Sequence, residues 1–248
     1  NSRDAFGTSF FSLGYVDMIN SDDEKYWNEG LERLLEQKKY VQGYVMDEIF
    51  NKMESGSAAI SAYYAGDYLT MYEEGDAPLE FYYPKEGTNY YVDAFCVPKC
   101  TKNKDLAIEY INFMLYGDIE IGGEEYNISV ENAEMTYYAS PNSNVFLDED
   151  YFYDMEEIRP GTIAILYPDN IEEILEEREL TYDEYLSEND LDERCIELWS
   201  KKPVNMYRNL SEDGLERLNV LWERLKIESS VGSGIYIICI VIVAVIVS

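Results

Sequence analysis

The sequence predicts an α/β fold followed by one C-terminal segment that spans a membrane. Three observations carry this prediction. Helix-period and strand-like stretches alternate along the chain. A hydrophobic content of 46% over 248 residues supplies a sizeable core. The last eighteen residues, VGSGIYIICIVIVAVIVS, hold an unbroken apolar run from Ile235 to Val247.

The elements follow in order. NSRDAFGTSFFSLGY reads as a helix, with Asn1 or Ser2 at the N-cap, Phe6, Phe10 and Leu13 on one face, and Gly14 as the stop. A chain that opens inside a helix cap, with neither an initiator methionine nor a signal peptide, reads as a fragment or a processed product. Ser21-Asp-Asp-Glu24 reads as a capping box ahead of a helix with Trp27, Leu31, Leu34 and Leu35 on one side. A short helix over 47–54 ends near Gly56. AAISAYYAGD (58–67) reads as a buried strand entering a glycine turn and a short helix, and LEFYYPKEG (79–87) as a strand into a turn. Residues 90–97 form the next strand by their β-branched and aromatic content. A helix over 104–116 turns Ala107, Ile108, Ile111 and Leu115 inward, and Gly117 closes it.

Beyond residue 143, acidic runs such as NIEEILEERELTYDEYLSENDLDE read as solvated helices and loops. A helix over 211–226 carries Leu215, Leu218, Leu221, Trp222 and Leu225 on one stripe. Residues 227–230 form a juncture and 231–248 a membrane anchor, since a spanning helix needs ~20 residues. No Lys or Arg follows the anchor to orient it. The Asn-x-Ser/Thr sequons at Asn127 and Asn209 read as chance.

Composition narrows the chemistry. Fifty Asp and Glu against 19 Lys and Arg give a formal net charge of -31. Phosphate binding needs clustered cations, so nucleic acid is excluded as a partner. The charge is either a solvated, self-repelling surface or a match to a cationic ligand. The chain has no histidine, which removes His-based metal sites and the Ser-His-Asp and Cys-His mechanisms. Twenty-four tyrosines supply flat apolar faces with a hydrogen-bonding tip. Cys96, Cys100, Cys195 and Cys239 lack a zinc spacing and read as buried free thiols, with a strained Cys96–Cys100 disulfide as the alternative. No cofactor and no catalytic residue is expected.

Alternating βα units place ligand sites beyond the carboxyl ends of strands, and the first such strand delivers Tyr64 there. In a strand over 90–97, Tyr91 and Asp93 share one face. A ring and a carboxylate together suit an alkylammonium group. The ring attracts the cation by ~0.5–2 kcal/mol, and a charge-assisted hydrogen bond contributes ~1.5–3 kcal/mol. Alternatively Asp93 ties down a backbone amide or pairs with Lys85.

PKEGTNYYVDAFCVPKCTKNKDLAIEYINFML resembles a stretch of the spermidine/putrescine-binding proteins of polyamine ABC importers, where a Pro-Lys-Glu-Gly turn precedes an aromatic, an aspartate, a short strand and an "Asn-Lys…Ala…Ile-Asn-Phe" helix. Four other segments resemble that family in the same order: NSRDAFGTSFFSLGY, AAISAYYAGD, TYYASPN and ILYPD. The resemblance covers residues 1 to about 170 and the last soluble helix. It implies a type II periplasmic-binding-protein-like fold of two lobes, one largely complete and one partial, with roughly the first third of such a protein missing. Residues 1–93 and 150–226 would form the ligand-binding lobe and 94–149 the partial second lobe, with the crossing near Asp93.

Carried over by position, the resemblance implies ligand contacts at Asn1 and Asp4 on the first helix. Tyr64 and Tyr91 would sandwich a methylene chain, Asp93 would hold an amine, and Tyr138 would sit on the lobe-bridging turn. Asn1 replaces an acid of the family, tyrosine stands at both sandwich positions where tryptophan is common, and residues 117–135 are longer than the family pattern. The family's late glutamine contact and the acidic stretch around 170–200 have no assignable counterparts.

The function implied is capture of a linear polyamine outside the membrane and delivery to an ABC permease, with two lobes closing on the ligand and the C-terminal segment tethering the receptor to the bilayer. A carbohydrate-active protein is a second possibility, because tyrosines and paired acids also suit sugars. A ligand-free acidic scaffold is a third.

Overall fold

The computed structural model describes residues 1–75, 78–188 and 204–230. Within them the chain forms two compact units. Unit 1 takes Asn1–Asp47, Pro84–Tyr91 and the described part of Lys202–Ser248, and unit 2 takes the rest, drawn from Glu48–Tyr83 and Val92–Lys201.

Unit 1 is built on three helices. In α1 (Ser2–Ser12), the Asn1 side chain accepts from the Arg3 amide at 2.9 Å, and Gly14 leaves the helix at φ 75°, as the sequence predicts. In α2 (Glu24–Gln37) the cap is Asp23, which accepts from Lys25 N at 2.9 Å. The expected capping box from Ser21 is thus displaced by two residues. The Ser21 side chain accepts from Asp23 N, and its carbonyl accepts from Trp27 Nε1 at 2.7 Å.

Phe6, Phe10, Trp27, Leu31 and Leu34 pack with Leu218, Leu221 and Leu225 of the last helix, α12 (Glu212–Ser230), in one apolar cluster. Leu215, expected on the same stripe, is exposed. Residues 227–230, expected as a juncture, continue this helix without a break. Strand β1 (Thr88–Tyr90) pairs in parallel with β4 (Val204–Met206).

Unit 2 gathers α3 (Glu48–Glu54), α4 (Ala65–Glu74), α5 (Lys104–Tyr116), a hairpin of β2 (Asp118–Ile121) and β3 (Glu124–Asn127), α6 (Ile128–Thr136) and α7 (Ser143–Phe146). Four further short helices follow: α8 (Glu149–Ile158), α9 (Thr162–Leu166), α10 (Ile171–Glu177) and α11 (Tyr182–Glu188). Its core joins Tyr68 and Leu69 of α4 and Val130 and Ala133 of α6 to Tyr151, Phe152 and Met155 of α8 and Ile163 and Ile165 of α9. This shared cluster explains why the structure divides the chain differently from the boundaries 1–93, 94–149 and 150–226. Tyr68 and Leu69 of the first stretch and Tyr151, Phe152, Met155, Ile163 and Ile165 of the third bury their apolar faces with Val130, Ala133, Val145 and Phe146 of 94–149.

Three expected strands also differ. Residues 58–64 are irregular, with Ile60 91% exposed, and the helix after them starts at Ala65. Residues 79–83 form no ladder, although their alternation is real. Leu79, Phe81 and Tyr83 pack on the unit 2 core, and the Tyr83 hydroxyl donates to Ile165 O at 3.1 Å. Beyond β1, residues 91–98 are irregular chain without a ladder. No strand among the described residues pairs with them, and a lone strand in water lacks the hydrogen bonds that define it.

Helix α5 forms where predicted but buries no residue. Ala107, Ile111 and Leu115 are half-buried, while Ile108, expected to face inward with them, is 41% exposed. Cys96 and Cys100 are free and exposed, not buried, while Cys195 and Cys239 lie outside the described residues. Among the described residues no helix is long and apolar enough to cross a membrane. The apolar run expected to do so, 231–248, lies outside them.

Candidate ligand site

The six residues the sequence singles out fall in two places. Asn1, Asp4 and Tyr91 belong to unit 1, and Tyr64, Asp93 and Tyr138 to unit 2. In unit 1, α1 packs beside β1, the strand that ends at the residue before Tyr91. The Asn1 side chain is committed to capping α1. In unit 2, Asp93 is exposed on irregular chain, so it shares no strand face with Tyr91. Its carboxylate is therefore not the product of a sheet register.

Tyr64 and Tyr138 do meet one structural feature, the first turn of α4. Tyr64 is the N-cap of that helix in extended conformation, and its ring stacks obliquely on Tyr63 with centroids 5.0 Å apart. Tyr63 in turn meets Phe50 of α3 edge-on at 6.1 Å. Two residues beyond Tyr64 the helix carries Gly66. A Cβ built there would lie 2.3 Å from Tyr138 Cδ2, so only glycine lets the Tyr138 ring lie against the backbone. The Tyr138 hydroxyl donates to Asp67 Oδ1 at 2.9 Å.

The helix N-terminus favours a negative charge at Asp67. Tyrosine faces, a phenol tip and a carboxylate thus converge on one turn of backbone. Asp67 is absent from the sequence-based set. Its signal was visible in Tyr64-Ala-Gly-Asp67, where the aspartate follows the glycine that ends the apolar stretch.

The turn that carries Tyr138 is fixed on both sides. Asn142 caps α7, and its side-chain amide donates to Leu115 O at 2.9 Å. The Ser140 amide donates to the hydroxyl of Tyr167, itself 3.1 Å from the Tyr151 hydroxyl. Burial pushes the pKa of both of these phenols up, so they stay neutral donors and acceptors. Two of the segments that carry the family resemblance, TYYASPN and ILYPD, are therefore bonded to each other. Among the described residues no group of Cys, Asp or Glu is placed to hold a metal ion.

The model of the bacterial extracellular solute-binding protein family matches residues 3–153. The chain belongs to that family. A bacterial extracellular solute-binding protein works outside the cytoplasm. The spermidine/putrescine-binding periplasmic protein of Salmonella typhimurium is 28% identical over 142 residues, 57% of this chain and 37% of that protein. The protein of the same description from Escherichia coli is 25% identical over 169 residues, 65% of this chain and 45% of its own. A putrescine/cadaverine-binding protein of Pseudomonas aeruginosa is 25% identical over 120 residues, 46% of this chain and 33% of its own.

The crystal structure of a spermidine/putrescine ABC transporter substrate-binding protein from Streptococcus pneumoniae superposes with a TM-score of 0.62. It shares 22% identity and covers 92% of this chain and 56% of that one, so the likeness is one of fold. This chain spans less than half the length of the curated relatives it matches.

Proposed function

We propose that this protein is a solute-binding receptor that captures a linear polyamine outside the cytoplasmic membrane and hands it to an ABC permease, without bond chemistry. The observation that carries the reading is the first turn of α4, where Tyr64, Asp67 and Tyr138 gather. A polyamine is a methylene chain with ammonium groups. Its chain packs on tyrosine faces, and each ammonium leaves water only where a carboxylate and hydrogen-bond acceptors replace its hydration. Asp67 supplies one such charge and the exposed Asp93 a second. The names of the relatives, which bind spermidine, putrescine or cadaverine, support the same ligand class. Asn1, Asp4 and Tyr91 remain proposed contacts on resemblance alone.

The excess of 31 negative charges favours the approach of a cation over a neutral sugar. From the apolar run 231–248 we further propose a membrane tether; recovery of the full chain in the soluble fraction after cell lysis would remove it. The ligand is tested by titration calorimetry of the full chain against spermidine, putrescine, cadaverine and neutral sugars. Saturable binding of at least one polyamine and of no sugar is the expected result. Binding of sugars alone would overturn the reading.

A further inference from the structure

We propose that Tyr137 is a positioning residue for Tyr138: a left-handed residue at the end of α6 whose ring fixes how Tyr138 meets α4. The inference rests on the reading of Tyr138 as part of the ligand site.

Tyr137 has φ 55° and ψ 17°. Among the described residues only one other non-glycine, Glu179, has a positive φ. An aromatic L-residue is disfavoured there because its Cβ crowds the following carbonyl, and such strain persists only where the surroundings over-determine it. The surroundings do so here. The Tyr137 amide donates to Ala133 O at 2.9 Å and closes α6. Its half-buried ring packs on the unit 2 core. Burial, and after it the negative charges of Glu73 and Glu74, the last two residues of α4, raise the pKa of its hydroxyl.

Tyr138, the next residue, engages the first turn of α4 through Gly66 and Asp67. Consecutive tyrosines therefore have two separate attachments, the Tyr137 ring on the unit 2 core and the Tyr138 ring and hydroxyl on the first turn of α4. The left-handed step at 137 is the joint between them. On its far side the turn is already tied down by Ser140 and Asn142. The Tyr137 ring is the corresponding tie on the near side.

The Gly66 α-protons lie under the Tyr138 ring, so their resonance reports where that ring sits. In the full chain, Tyr137→Gly suits the backbone at this φ but removes the ring. Tyr137→Asn serves as a second variant that also tolerates the left-handed region. Both are expected to shift the Gly66 resonance toward its unstructured position, while Tyr137→Phe, which keeps the ring, preserves it. Spermidine affinity should fall about five- to tenfold in Tyr137→Gly and no further when Tyr138→Ala is added, the non-additivity of residues acting as a unit.

An unmoved Gly66 resonance in Tyr137→Gly and Tyr137→Asn overturns the proposal, as does equal loss in Tyr137→Phe. A resonance that moves as expected in a protein that binds no polyamine upholds the positioning role and removes the polyamine reading instead.

Discussion

The Tyr138 hydroxyl and Asp67 Oδ1, 71 positions apart in sequence, are joined at 2.9 Å above the first turn of α4. For this carboxylate an ammonium group is a better partner than a phenol. Asp67→Asn keeps the shape and an acceptor for Tyr138 but removes the charge. We expect the melting temperature without ligand to stay within a few degrees and spermidine affinity to fall at least about tenfold, ~1.4 kcal/mol. Calorimetry that returns the parent affinity would take Asp67 out of the site.

Asp93 poses the complementary case. It is exposed on irregular chain, so its replacement removes no internal contact of a folded core. Asp93→Asn should leave the denaturant midpoint unchanged, as surface substitutions typically do within about 0.5 kcal/mol. If it holds an amine, spermidine affinity drops by about tenfold or more. Equal affinities for the parent and the variant would show that the carboxylate merely faces water.

Asn1 separates a structural role from a ligand role. Its side chain caps α1 through Arg3 N, so Asn1→Ala should cost ~0.5–2 kcal/mol in urea unfolding. Asn1→Asp restores the cap and adds a charge at the positive end of the helix. Stability that recovers in Asn1→Asp while polyamine affinity rises above the parent would place this position in the site as well. Recovery of stability alone would confine it to the cap.

How much of the fold was legible in the sequence depends on whether a signal was local. The helices were, because capping residues and apolar spacing act within a few positions: α1 with Asn1 and Gly14, and α12 with Leu218, Leu221 and Leu225. The hairpin β2–β3, which is not among the expected elements, also has a local signal, with Gly122 and Gly123 at φ 69° and 95° between DIEI and EEYN. A Gly-Gly pair between two short alternating runs is a hairpin signature, and the extra length at 117–135 was its trace. Asn127, read as a chance sequon, is the N-cap of α6.

The strands failed for the opposite reason. A ladder needs a partner that composition does not reveal, and the alternation of Leu79, Phe81 and Tyr83 is used to anchor side chains in a core. Likewise Tyr64 was reached from a strand that does not form and from family resemblance, and Tyr138 from resemblance alone. Their convergence on Gly66 and Asp67 is a tertiary fact that no spacing encodes.

Glu134 of α6 makes stability depend on pH. Burial, then the nearby charges of Glu131, Asp154, Asp148 and Asp150, push its pKa up to about 7. A carboxyl with a folded-state pKa above its unfolded value binds its proton more tightly when folded. Its contribution to stability is therefore complete below the ordinary carboxylate pKa, and it is lost as pH rises through about 7. Unit 2 should be more stable at pH 5 than at pH 8 on this account, and Glu134→Gln should flatten that slope and raise the melting temperature at pH 8. A parent and variant with parallel pH profiles would remove Glu134 as the cause.

Glu156 is the carboxylate on which the α8–α9 connection depends. Its Oε1 accepts from Ile163 N at 2.8 Å and from the Tyr185 hydroxyl at 2.9 Å, and its Oε2 accepts from Gly161 N at 2.8 Å. Burial raises its pKa despite these three donors, which act in the other direction. In Glu156→Gln the amide oxygen can serve one pair of donors, but the new amide nitrogen then confronts the Gly161 N–H. A buried donor left unpaired costs ~1–3 kcal/mol, and we expect a loss of that size in urea unfolding of the full chain. Glu156→Ala, which strands all three donors, should lose more. Equal stability of the parent and Glu156→Gln would mean that Gly161 finds another acceptor and that the α9 turn holds without the charge.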